Sequence, residues 1–313
     1  MRLVLPLSLP AFTMRRFPFY NDGLSLFAAR DEDRPNPMRI SIAHDTTYAY
    51  AIPARAVVQI LRLTPRSHEG MRVMRWRVEV DVDGRLRLGE DSLGNITHTL
   101  SVAGPLKGVT VSVNGEVETV DTQGVIRGTV ERFPDAVYLR TTPLTEADSA
   151  IRDFADGLLA DHGTDSLSLL HGLLNGIHRD IAFDPHPTEV TTTAAEAFAL
   201  RRGVCQDLSH IFIAAARHLG IPARYVSGHF MRNDGVTVQD AAHAWVEAKV
   251  PDLGWVGFDP ANGISPTDAH VRVAIGLDYL GAAPVRGSRY GGGEERMDVK
   301  LTVQKAAQWQ AQA

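Results

Sequence analysis

The stretch that decides the fold of this chain is RRGVCQDLSHIFIAAARHLG, residues 201–220, and it contains the only cysteine among 313 residues. After Cys205 the apolar residues recur at helical spacing, at Leu208, Ile211, Phe212, Ala215 and Leu219. Gly220 then gives a stop signal. The spacing therefore predicts a helix that begins at the cysteine. Taken alone, a single cysteine is more often a small buried hydrophobe than a reactive group.

Helical patterns precede this stretch and strand patterns follow it. Thr145 with Asp148 predicts the start of a first helix, and apolar residues at 170, 173, 174, 177 and 181 predict a second. Thr193 and Glu196 form a capping box for a third helix, which Gly203 is expected to end. Beyond residue 220 the apolar period changes to two, which predicts strands at 224–230, 242–250 and 255–258. Helices followed by antiparallel strands indicate an α+β fold.

The N-terminal half has a strand pattern throughout. Apolar residues at 74, 76, 78, 80 and 82 alternate with charged ones, which is typical of a strand with one wet face. Asp83-Gly84 and Asn114-Gly115 are hairpin signals. We therefore predict an antiparallel β-domain that precedes the α+β core.

The domain boundaries follow from these patterns. We predict an extended or disordered tail at 1–37, the β-rich domain at 38–123 and a connection at 124–143. The core is then expected at 144–305 and a short C-terminal tail at 306–313. Within the core, the glycine-rich run GSRYGGGEE (287–295) predicts a flexible loop before a last strand at 297–303.

Composition narrows the class of protein. The net charge of −5 and the pI of about 6.2 give no reason to expect nucleic acid or an anionic membrane as a partner. A single cysteine forms no disulfide within the chain, which fits a reducing compartment, so we expect a cytoplasmic protein. Hydrophobic residues make up 44% of the chain, as in globular proteins, yet no run is long enough to span a bilayer.

The predicted position of Cys205 favours chemistry. A thiol at a helix N-terminus lies beside unpaired backbone N–H groups and the positive end of the helix dipole, and both stabilise a thiolate. The amide of the same residue is available as a donor to an oxyanion.

A base and an orienting group lie at matching places in the strands that follow. His243 lies near the start of one predicted strand and Asp259 at the end of the next. A short turn between these strands brings the two residues roughly opposite each other, and an imidazole bridging a thiolate and a carboxylate needs that arrangement. Each residue alone has an ordinary explanation, a packed histidine or a turn before Pro260, but together they predict a Cys–His–Asp triad.

The stretches around these three residues, TTTAAEAFALRRGVCQDLSH, GIPARYVSGHF and AHAWVEAKVPDLGWVGFDPANG, resemble the transglutaminase-like core, which has a papain-like fold. With the RLTPR run at 62–66, the chain resembles the bacterial transglutaminase-like proteins that carry an N-terminal β-domain, over roughly residues 38–305. The resemblance implies that Cys205 is the nucleophile, His243 the general base and then acid, and Asp259 the orienting group. It also implies a thioester intermediate and a peptide or protein substrate.

The resemblance leaves the reaction open among three alternatives. A hydrolase that acts on peptide or amide bonds is the favoured prediction. The others are a protein-glutamine transglutaminase and a non-catalytic peptide-binding module. Papain-like enzymes place a glutamine six residues before the nucleophile as second oxyanion donor, but this chain has Ala199 there, and Gln206 is a poor substitute, so that donor is unassigned.

Other residues are weaker candidates. Asp207 is a possible site residue or a helix-dipole partner, and Trp245 and Trp255 are possible cleft walls or core residues. No histidine spacing indicates a metal site, and no acidic loop indicates calcium, so neither a metal nor a cofactor is predicted. The sequence leaves the oligomeric state open.

Overall fold

The computed structural model describes residues 37–184 and 188–306. The predicted tails at 1–37 and 306–313 therefore lie outside the described residues, apart from Pro37 and Ala306. The strands are β1 (Met38–Thr64), β2 (Met71–Val80), β3 (Arg85–Glu90), β4 (Ile96–Thr119), β5 (Val125–Ile126), β6 (Ala182–Phe183), β7 (Arg202–Gly203), β8 (Ala223–Phe230), β9 (Val238–Gln239), β10 (His243–Val250), β11 (Gly254–Phe258), β12 (His270–Gly276), β13 (Val285–Gly291) and β14 (Glu295–Lys305). The helices are α1 (Ser149–His162), α2 (Ser166–Asp180), α3 (Ala194–Leu200), α4 (Cys205–His218) and α5 (Tyr279–Ala282).

Two long strands organise the N-terminal sheet. β1 and β4 pair antiparallel along most of their length, with register shifts where they bend. β2 and β3 both pair with β4, and β13 and β14 both pair with β1. The alternating residues of the inner face, such as Ile40 and Ile42, are buried. With the core described below, this arrangement confirms the predicted α+β class.

Both hairpin signals of the N-terminal half were wrong. Asn114 and Gly115 lie inside β4, where Gly115 pairs with Trp76 of β2. A Cβ atom at Gly115 would lie 2.1 Å from Cε3 of the Trp76 ring, so the glycine makes room for an indole instead of a turn. Asp83-Gly84 joins β2 and β3, which pair with successive parts of β4 and not with each other.

The glycine-rich run was also misread as a flexible loop. Its first half lies in β13, opposite residues 54–59 of β1, and the backbone φ angle is positive at Gly291, Gly292 and Gly293. β13 and β14, which we expected in the core, thus return to the N-terminal sheet. The division of the chain into domains stays a prediction.

The core is built around α4. Twelve of its fourteen residues are buried, and the predicted apolar stripe forms one cluster with α1, α2 and α3 on one side and the core sheet on the other. That sheet has the order β12-β8-β10-β11-β5. The predicted strands at 224–230, 242–250 and 255–258 are confirmed as β8, β10 and β11. The connection predicted at 124–143 contributes β5 to the edge of this sheet.

Three helix ends differ from the prediction. Asp148, not Thr145, caps α1 by accepting a hydrogen bond from the Ile151 amide at 2.9 Å. α2 ends at Asp180, so the last residue of its predicted apolar stripe, Ile181, lies just beyond the helix. α3 ends at Leu200 because Arg201 takes the left-handed conformation (φ 55°).

The two sheets are joined by specific contacts. The Asn95 side chain donates to the carbonyl of Ile275 and accepts from its amide, both at 2.8 Å. The Thr119 hydroxyl donates to the carbonyl of Asp268 at 2.6 Å. These contacts fix the N-terminal sheet against β12 and the loop before it. Within the described ranges, no helix combines the length and apolar character that a bilayer crossing requires.

Candidate active site

Cys205 is the first residue of α4, as predicted. The first N–H groups of a helix have no partner within the helix, so the Cys205 thiol lies beside backbone donors at the N-terminus of α4. The turn is stabilised by Asp207, whose Oδ2 accepts from the Val204 amide at 2.8 Å. Gly203 is required there, since a Cβ atom would lie 2.6 Å from that same oxygen. Cys205 is partly exposed, unlike most of its helix.

The structure brings His243 and Asp259 together. The β10–β11 hairpin pairs Val246 with Phe258, which places Asp259 beside the start of β10. Nε2 of His243 lies 2.7 Å from Oδ2 of Asp259, which is fully buried. With Nε2 engaged in this way, Nδ1 is the ring nitrogen left for Cys205.

The charges of the three groups are coupled. Burial lowers the pKa of His243, but the charge and hydrogen bond of Asp259, together with a hydrogen bond and charge from Cys205, raise this pKa to about 10. Burial raises the pKa of Asp259, yet the histidines beside it hold it well below its usual range. These interactions favour the protonated ring at His243 beside the ionised carboxylate of Asp259.

Sequence reasoning missed two further partners of Asp259. Asn262 donates from Nδ2 to Oδ2 of Asp259 at 2.7 Å, and the same nitrogen lies 3.4 Å from Nε2 of His243. His270, the first residue of β12, lies 3.2 Å from Oδ2 through its Nε2. Two sequence features could have indicated these partners. Asn262 lies in the DPANG turn that begins at Asp259, and His270 is a polar residue at the start of a strand.

The two candidate tryptophans, Trp245 and Trp255, lie at different distances from the site. Trp245 lies next to the site, 6.1 Å from His243 between ring centroids, and is 2% exposed, so it supports the imidazole from behind. Trp255 pairs with Lys249, six residues along β10, and its ring lies under the Arg224 guanidinium at 3.9 Å. The structure does not bring Trp255 to the cysteine.

Gln206 and Asp207 form hydrogen bonds with the segment at residues 188–190. The Gln206 amide donates to the Val190 carbonyl at 3.2 Å, and Asp207 accepts from the Thr188 hydroxyl at 2.8 Å. Burial raises the pKa of Asp207 despite these bonds. Gln206 is therefore engaged elsewhere, and the second oxyanion donor stays unassigned.

One cluster has the composition of a metal site. His243, Asp259 and His270 each offer a ligand atom, and these atoms lie within 4.8 Å of one another. The carboxylate oxygen and both Nε2 atoms already take part in the hydrogen bonds described above. The cluster is thus fully accounted for as a hydrogen-bonded group.

Both halves of the chain match known families. Residues 152–260 match the transglutaminase-like superfamily, and residues 40–118 match the bacterial transglutaminase-like N-terminal region. An uncharacterized protein of Mycobacterium leprae is 28% identical over 283 residues, which cover 86% of this chain and 99% of that protein.

Two further similarities concern proteins with a stated activity. A protein-glutamine gamma-glutamyltransferase of Pseudomonas aeruginosa is 28% identical over 166 residues, 48% of this chain but 24% of that protein. The solved structure of a candidate cysteine protease from Cytophaga hutchinsonii has the same fold, with a TM-score of 0.63 and 20% identity over 88% of this chain and 92% of that one. The N-terminal match covers strands of the N-terminal sheet, and the second match covers the core that contains Cys205, His243 and Asp259. The chain therefore belongs to the bacterial transglutaminase-like family.

Proposed function

We propose that the protein is a cysteine enzyme that attacks an amide or peptide carbonyl with Cys205. The observation that carries the proposal is the position of His243, which lies 2.7 Å from the buried Asp259 carboxylate and whose pKa is raised by Asp259 and by Cys205. Deleting any one group breaks the chain of interactions that holds the thiolate–imidazolium pair.

The reaction follows from these positions. The Cys205 sulfur adds to the carbonyl carbon, and the oxyanion accepts a hydrogen bond from the Cys205 amide. The C–N bond then breaks while His243 gives its proton to the leaving amine, and a thioester remains. An incoming nucleophile gives a proton to His243 and displaces the thiolate, which regenerates the enzyme.

Hydrolysis is the favoured second half of this reaction. Asn262 is exposed and touches both Asp259 and Nε2 of His243, so this edge of the site borders solvent. Water is then the nucleophile and the product is a carboxylic acid. The substrate is a peptide or protein, since the proposed reaction cleaves an amide.

Amine transfer is the second candidate, favoured by the similarity to the Pseudomonas aeruginosa glutamyltransferase. In that reaction a primary amine replaces water, and the product is a new amide. The two candidates share the thioester, so they differ only in the group that resolves it.

The test has a step that needs no substrate. We expect iodoacetamide to alkylate Cys205 of the wild-type protein at about pH 6.5 distinctly faster than Cys205 of His243→Ala. Equal rates would show that the thiol is not activated by the imidazole, and the proposal would fail.

The second step separates the two reactions. The protein is incubated with a pool of glutamine-containing peptides, with and without putrescine, and the products are identified by mass spectrometry. Cleaved or deamidated peptides that Cys205→Ala does not produce support hydrolysis. Peptides that carry putrescine in place of hydrolysed products support transfer. Peptides retained by both proteins without any product would favour a binding module.

A further inference from the structure

The carboxylate of Asp259 accepts more hydrogen bonds than a His–Asp pair requires. Its Oδ1 accepts from the amides of Ala261 and Asn262, at 3.1 and 3.2 Å. Its Oδ2 faces His243 at 2.7 Å, Asn262 at 2.7 Å and His270 at 3.2 Å. The second histidine thus shares one oxygen with the imidazole that faces the cysteine.

The protonation of His270 follows from its other nitrogen. Nδ1 accepts a hydrogen bond from the Thr267 amide at 3.1 Å, so it carries no proton. Nε2 must then carry the proton of the neutral ring and donate it to Asp259. Burial lowers the pKa of His270 despite its contact with Asp259, which keeps the ring neutral. His270 is therefore a neutral donor and not a second cation.

The orientation of the ring is fixed on every side. The ring of Phe230 packs against it at 4.6 Å, and Trp245 meets it edge-on at 5.3 Å. Three titratable groups surround the ring: Asp259, His243 and Asp268. Burial raises the pKa of Asp268, and the interaction with His270 acts in the opposite direction. The loop that carries Thr267 is itself tied to the N-terminal sheet through the bond from Thr119 to Asp268.

A neutral donor at this place has a specific consequence. The hydrogen bond from His270 opposes rotation of the Asp259 carboxylate about its Cβ–Cγ bond. Because the ring is neutral, the negative charge of the carboxylate stays available to His243. A cation there would compete with the His243 imidazolium for the same charge.

We propose that His270 is a positioning residue, which holds the Asp259 carboxylate so that His243 is aligned for Cys205. The proposal rests on the cysteine chemistry proposed above. It assigns to β12, which lies outside the matched residues 152–260, a role in the active site.

Two substitutions separate this role from simple packing. The amide nitrogen of Gln reaches the place of Nε2, so His270→Gln keeps a donor to Asp259 and loses the Thr267 contact. The side-chain oxygen of Asn reaches only the place of Nδ1, so His270→Asn keeps the Thr267 contact and loses the donor. The control is His68→Asn, because His68 is a buried histidine whose Nδ1 accepts an amide bond from Gly70 at 3.2 Å.

The measurement is the rate of Cys205 alkylation by iodoacetamide between about pH 5 and 9, with the melting temperature of each variant. We expect His270→Asn to slow alkylation at neutral pH roughly tenfold, the lower end of what hydrogen-bond partners of metal-ligating histidines contribute, and to move the pH profile of alkylation to higher pH. His270→Gln should stay several-fold closer to the wild-type rate, and His68→Asn should leave the profile unchanged.

Three results are informative. If Gln and Asn variants both keep the wild-type profile while their melting temperatures fall, His270 only packs the core and the inference is wrong. An equal loss in both variants would also overturn it, since the donor to Asp259 would not matter. If the wild-type profile itself does not depend on His243, the proposed function fails, and this failure is visible without any His270 variant.

Discussion

At the scale of single residues, Asp259 has more hydrogen-bond partners than the predicted pairing with His243 requires. A DP dipeptide after a strand is an ordinary turn, and an asparagine would serve the turn equally well. In the structure the carboxylate is fully buried and faces five N–H donors. At such a site both side-chain oxygens must act as hydrogen-bond acceptors.

Asp259→Asn tests this environment. The amide group of asparagine places N–H groups against N–H donors, whichever way it is turned, and it carries no charge for His243. We expect a loss of about 1–3 kcal/mol in the free energy of unfolding from the unpaired groups, measured by urea denaturation. Alkylation of Cys205 at neutral pH should slow as well. A variant with wild-type stability and alkylation would contradict the role of Asp259 in both respects.

At the scale of elements, β4 shows how a local signal is overridden. Asn-Gly is the strongest short hairpin signal, yet the 24-residue strand β4 continues through it to Thr119 because it is paired on both sides, with β1 and β2. The glycine is kept because the Trp76 indole covers it, and the Trp76 Nε1 donates to the Leu63 carbonyl at 2.8 Å.

Gly115→Ala should therefore destabilise the N-terminal sheet. The new methyl overlaps the Trp76 ring, and overpacking of this kind costs about 1–3 kcal/mol. In Trp76→Leu the space is free, so the same substitution should cost distinctly less. A double-mutant cycle of urea midpoints measures the difference. Additive effects would mean that the two residues do not touch.

At the scale of the whole molecule, stability should depend on pH through histidines of two kinds. Burial lowers the pKa of His68 and His229 to about 3 and that of His210 to about 4. Below about pH 6.5 these histidines therefore bind protons in the unfolded chain but stay neutral in the folded chain, and this difference favours unfolding. His243 behaves in the opposite way, because its pKa is raised to about 10 in the folded protein.

The expected profile has two limbs. Stability falls as the pH drops from about 6.5 towards the folded pKa values of the buried histidines, and it falls again as the pH rises from about 6.5 towards 10, where His243 loses its proton. The melting temperature across this range measures both limbs. His229→Phe should flatten the acid limb and His243→Ala the alkaline limb. If neither variant changes its limb, other groups control the dependence on pH.

Much of the core could be predicted from the sequence. α4 begins at Cys205, β8, β10 and β11 lie where the apolar period changes to two, and the capping box of Thr193 and Glu196 is formed. These features depend on neighbours within a few residues, where spacing and capping chemistry act directly. The proximity of His243 and Asp259 was also predictable, since a short hairpin fixes its register.

The tertiary structure alone decided the rest. Gly115 lies in a strand because a tryptophan from another strand occupies the space above it, and β13 and β14 leave the core because β1 offers them a partner more than 200 residues earlier. His270 and Asn262 reach Asp259 because the loop between β11 and β12 folds back on itself. The sequence by itself determined α4, the core strands β8, β10 and β11, and the residues that lie on the β10–β11 hairpin, because local spacing encodes them. Pairing between distant strands and the donors around a buried carboxylate depend on which surfaces meet once the chain has folded, and no local pattern carries that information.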